Sequence, residues 1–218
     1  MHAISGIMTR MIPEFDVEIF HEYVLTDLRT SLTAEDLAEG FTEHQGYECT
    51  ALATWEDVKI CLHEEAQVLD QARGSQAVDG LEEAIDALSE SDDLQYAEHL
   101  QALWGNDAGA ASLALALSAA RTATFYSCSG SLDTNHHADH PQVGVVPDVG
   151  RAKLIAELAE GTNCGIWQHD GRWYIYAKSV TDLHALSRLL LKEREAFDAL
   201  PSPPWLNGLP ELLDASVW

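Results

Sequence analysis

Cys128 closes the run Phe125-Tyr126-Ser127-Cys128-Ser129-Gly130, and the polar stretch behind it carries Asp133, Asn135, His136, His137, Asp139 and His140. A thiol at the end of a strand, beside a glycine that lets successive amides turn toward one point, suits a nucleophile or an anion cradle. In that reading Cys128 attacks, His140 or a neighbouring histidine takes its proton, and Ser127, Ser129 and Gly130 bind the ligand. Zinc is the other chemistry open to the segment. Thiolate, imidazole and carboxylate are its usual ligands, so His136, His137 and His140 form a candidate set with Cys128 and Asp139. The spacing is diagnostic of neither, and a buried structural cysteine beside a solvated, pH-sensitive histidine loop fits the same string.

A second string, Cys61-Leu62-His63-Glu64-Glu65, gathers the same residue types. On a helix Cys61 and His63 stand two apart and face different directions, unlike H-E-x-x-H, whose imidazoles lie one turn apart. His63, Glu64 and Glu65 are therefore expected on the wet face of their helix. The chain has no G-x-G-x-x-G, no P-loop and no G-x-S-x-G elbow. Its four cysteines, Cys49, Cys61, Cys128 and Cys164, include no C-x-x-C pair and read as free thiols of a cytoplasmic protein.

These segments must be positioned by elements of two characters. Residues 1–120 hold 24 acidic and 4 basic residues, a net of −20, whereas 121–218 hold 12 and 8, a net of −4. The acidic half reads as helical. Thr33 with Asp36 starts a short helix, and Thr54 caps a longer one through Trp55, Val58, Leu62 and Leu69 to Gly74. Helices follow at Leu81–Leu88 and Leu94–Trp104, and residues 15–30 are assigned to another. Gly105-Asn106-Asp107 then leads into Ala108–Ala120, a buried helix of small residues, too short to span a bilayer.

Beyond it the period changes. Strands are expected at Thr122–Cys128 and Gln142–Val146, then a helix from Asp148 to Gly161. A hairpin turning at Asp170-Gly171 follows, and Ser179 with Asp182 caps a last helix reaching about Leu200. The fold class is α+β: an acidic helical half plus a small β-β-α-β-β-α layer with an antiparallel or mixed sheet. The regions are 1–104, 105–200 and an apolar, proline-rich arm at 201–218, or one continuous domain. The arm carries Trp205 and Trp218 and is expected to dock on its own core or to mediate oligomerisation.

The stretch from Gly105-Asn106-Asp107-Ala108-Gly109 through Ser127-Cys128-Ser129-Gly130 resembles an uncharacterised bacterial family with a small-residue helix followed by Ser-Cys-Asn/Ser-Gly. The resemblance covers about 105–180 and implies no activity. Ser127–Gly130, His140, Val143–Val146, Ala152–Ala159 and Gly165-Ile166 are also similar to the wybutosine-synthesising tRNA methyltransferase family, which implies S-adenosylmethionine chemistry; Ser131 stands where that family has an Arg.

Charge sets the functional expectation. With 36 acidic and 12 basic residues in 218, the net charge is −24, which opposes both phosphate neutralisation and anionic lipid. Direct nucleic-acid binding and membrane association are thus excluded, and no signal peptide is read at the amino terminus. The expectation is a cytoplasmic acidic protein that binds a basic protein partner, as an immunity protein, antitoxin or defence-system component does. Glu64, Glu65, Glu82 and Glu83 would supply its charge, and Trp55, Trp205 and Trp218 its apolar anchors. A small enzyme or a ligand- or metal-binding domain using Cys128 and the His136–His140 loop is the alternative.

Overall fold

The computed structural model describes residues 12–29, 31–37, 47, 49–50, 52–75, 80–91, 93–130 and 138–211. His136, His137 and Trp218 lie outside them.

The main helix α1, Trp55–Gly74, starts at a capping box in which Thr54 and Asp57 satisfy each other's backbone amides. Gly80–Ser89 (α2) and Asp93–Leu103 (α3) pack along it. The nine-residue helix α4, Ala111–Ala119, is buried at every position, because Ala and Ser side chains let α1 and Val180–Lys192 (α6) approach its backbone. Between them run strands Ala123–Cys128 (β2) and Gln142–Val146 (β3), helix Val149–Glu160 (α5), and the hairpin Cys164–His169 (β4) and Arg172–Ala177 (β5). A short helix, Arg194–Asp198 (α7), ends this part.

The assignment of residues 15–30 to a helix is corrected. Residues 13–20 form neither helix nor strand, with a tight turn from the Val17 amide to the Phe15 carbonyl, His21–Glu22 form strand β1, and only Leu25–Asp27 make a 3-10 turn. Period-two burial explains the difference: Phe15, Val17, Ile19, His21 and Tyr23 are half-buried while Asp16, Glu18, Phe20 and Glu22 are exposed. β1 pairs parallel to β4, whereas the remaining ladders are antiparallel, so the five-stranded sheet β1-β4-β5-β3-β2 is mixed and the fold is α+β. The last expected helix is also broken, at Glu193.

One face of the sheet, with Val143, Val145, Ile166, Trp173 and Ile175, joins the helices in a core that continues across the boundary expected at 104/105. The other face is aromatic. A bulge between Thr124 and Tyr126 turns both Phe125 and Tyr126 onto it, beside Cys128 and Tyr174. Trp205, Leu206 and Leu209 of the carboxy-terminal arm pack against that cluster. No helix among the described residues is long and apolar enough to cross a membrane.

Candidate functional site

At the open end of the sheet, Cys128 sits opposite Gln142 in the β2–β3 ladder and is 3% exposed. The chain leaves the strand through Gly130 at φ +70°, and its amide donates to the Cys128 Sγ at 3.4 Å. A Cβ on residue 130 would lie 2.7 Å from the His140 carbonyl carbon, so glycine alone lets the two ends of the loop touch. The Ser129 amide donates to Asp107 Oδ2 at 3.2 Å, and the Ser127 hydroxyl to Asn106 Oδ1 at 2.8 Å.

Tyr126, two residues before Cys128, completes the cluster. Burial raises its phenol above the ordinary value, with the Cys128 thiol and Asp107 adding to the rise and a hydrogen bond with Gln142 opposing it. Tyr126, Gln142 and Asp107 were not anticipated from sequence. Tyr126 shares the face of Cys128 by alternation, Gln142 is reached only across the β2–β3 ladder, and Asp107 reads as a turn residue. His140, the expected base, has its ring edge-on to Tyr176 at 5.3 Å. Burial lowers its pKa, with Asp139 acting the other way. The described part of the site thus offers a covered thiol with phenol, amide and carboxylate neighbours, a setting unlike that of an open nucleophile. Among the described residues no three His, Cys, Asp or Glu side chains are grouped to hold a metal ion.

The expected acidic face needs correction at its centre. Glu65 is fully buried: its Oε1 accepts the amides of Gly109 and Ser112 at 2.9 and 3.0 Å, and its Oε2 lies 3.2 Å from His184 Nδ1. A carboxylate at the amino end of α4 meets the orphan N–H groups and the positive end of the helix dipole. Glu64 is half-buried, 3.4 Å from His99 Nδ1. Burial beside Glu65 and Glu64 pushes the Cys61 thiol up, which makes it a poor nucleophile. Trp55 is half-buried too, its Nε1 donating to Asp198 Oδ1 at 3.1 Å, and Trp205 packs on the aromatic cluster. Of the three expected anchors, Trp55 and Trp205 are therefore engaged within the chain, and Trp218 lies outside the described residues. Glu82 is half-buried, whereas Glu83 is exposed and accepts from the Ser75 hydroxyl.

A further exposed apolar surface lies on the acidic half. A groove of about 600 Å3 runs between α1 and α3, lined by Asp57, Ile60, Glu98, Gln101, Ala102 and Trp104. Ile60 is 52% and Trp104 42% exposed, and Leu94 and Leu100 of α3 are exposed as well. Trp104 holds φ +54° just past the end of α3. Its amide donates to the Gln101 carbonyl and that of Gly105 to the Leu100 carbonyl, the Schellman pattern with tryptophan where glycine is usual.

No known protein family matches the chain, and neither does any curated protein or solved structure.

Proposed function

We propose that this protein binds a basic protein partner through the α1–α3 face of its acidic half. The observation that carries the reading is Trp104. An L-residue in the left-handed region costs about 1–2 kcal/mol relative to a relaxed one, and such strain clusters where side chains are held for use. Arg121 stands in the same conformation past α4, and there its guanidinium holds Ser202 of the carboxy-terminal arm. Trp104 instead presents its ring to solvent beside Ile60, with Asp57 and Glu98 on the walls. Exposed aromatic and aliphatic groups within a field of carboxylates are the combination that gives anchoring and charge steering together. The test is native mass spectrometry of the protein drawn from its host at low and high salt. A complex with a basic protein that dissociates as salt rises supports the reading; a partner retained unchanged at high salt removes its electrostatic basis.

A second reading, ligand binding at Cys128, is favoured by the Tyr126 phenol beside that thiol, with Gln142 hydrogen-bonded to the phenol and Asp107 accepting from the Ser129 amide. Under it, Cys128→Ala loses a co-purifying small molecule while melting within a few degrees of wild type. A deep fall in melting temperature with no ligand ever observed would make Cys128 part of the core.

A further inference from the structure

Resting on the partner-binding reading, we propose that the α1–α3 groove seats one amphipathic helix of the basic partner. An aliphatic or aromatic side chain of that helix anchors between Ile60 and Trp104, and its Lys or Arg residues face Asp57 and Glu98.

The chemistry of the walls selects the form of the occupant. Both walls are helices, whose interior N–H and C=O groups are already paired along their own axes. The groove therefore has no row of main-chain partners for an extended segment, which would leave its own amides unpaired on the apolar floor. A helix satisfies its backbone internally and brings only side chains, laid into the groove as helices pack on one another.

Charge selects its composition. Asp57 keeps its carboxylate at the lip even though Oδ2 accepts from Thr54. Glu98 is exposed opposite it, and the half of the chain that bears the groove carries a net of −20 from 24 acidic and 4 basic residues. A neutral apolar helix would bury these carboxylates without compensation, whereas a cationic one pairs them.

The experiment titrates the isotope-labelled full chain at low salt with two probes, a Leu/Lys peptide of about five helical turns and poly-lysine of equal charge. The expected result is that the Leu/Lys peptide shifts the resonances of Ile60, Ala102 and the Trp104 indole, while poly-lysine binds without localising there. Trp104→Gly, which relieves the left-handed backbone, should melt within a few degrees of wild type yet bind the peptide about tenfold more weakly. Glu98→Lys should weaken it as well. Peptide shifts that map away from the groove, equal groove shifts from poly-lysine, or undiminished binding by Trp104→Gly would each overturn the groove while leaving the basic-partner reading intact. Failure of both probes to bind at low salt would overturn that reading itself.

Discussion

Glu65 illustrates how far a residue's type can mislead about its place. In the sequence it stands next to Glu64 in a string that reads as solvated, and nothing local separates the two. The distinction is made by tertiary structure: one residue of register on α1, a rotation of about 100°, brings Glu65, and not Glu64, to the start of α4, where two amides and His184 converge on it. A buried carboxylate with three partners is costly to remove because its partners stay behind unsatisfied. Glu65→Ala is accordingly expected to lower stability by about 3 kcal/mol, and Glu65→Gln, which keeps an acceptor for the amides, by roughly half as much. Denaturant unfolding of the two variants measures this. Equal small losses would mean that water replaces the carboxylate and that the contacts to Gly109 and Ser112 contribute little. Cys128 was legible as the end of a strand, and Gly130 as the residue that turns the chain there. Their neighbour Tyr126 shares the face of Cys128 by simple alternation, whereas the bulge that brings Phe125 onto the same face has no local signal in the sequence.

Among the elements, those with a local cause were the readable ones. Thr54 with Asp57, Asp148 with the Arg151 amide, and Ser179 are caps formed within four residues, and each helix begins where its cap stands. Ser179, however, accepts from the Thr181 amide, and the expected partner Asp182 accepts instead from Asn163. The Asp170-Gly171 turn likewise fixed the β4–β5 hairpin. β1 was missed because its partner, β4, lies over 140 residues away, although the alternation of Phe15, Val17 and Ile19 with Asp16 and Glu18 was present to be read. The entry to α4 depends on an equally distant contact. Gly109 has φ +95°, and a Cβ there would come within 2.6 Å of the Val180 Cβ at the start of α6. Gly109→Ala therefore combines a left-handed penalty with overpacking, and a loss of about 2–4 kcal/mol is expected. Because the same turn aims the Gly109 amide at Glu65, the variant should also disturb the resonance of His184. A melting temperature equal to wild type would show that α4 and α6 can slide apart without cost.

For the whole molecule the charge that was legible at once has two consequences of opposite sign. At −24, with 24 of the 36 acidic residues in the first 120 positions, the folded chain concentrates like charges that the unfolded chain spreads apart. Salt shortens the reach of that repulsion from about 30 Å at 0.01 M to about 8 Å at 0.15 M, so it favours the compact state. Exposed close pairs, such as Lys59 with Glu56 and Arg73 with Asp70, lose little when screened, and the buried pairs Arg172 with Asp36 and Arg151 with Asp148 are screened least. The isolated protein is thus expected to melt several degrees higher at about 0.5 M salt than at about 0.02 M, while its complex with a basic partner weakens over the same range. Sodium chloride in both measurements keeps specific anion effects constant. Parallel responses, with fold and complex both strengthened by salt, would mean that apolar burial governs the association. The groove between α1 and α3 would then act through Ile60 and Trp104 alone, with Asp57 and Glu98 serving only solubility.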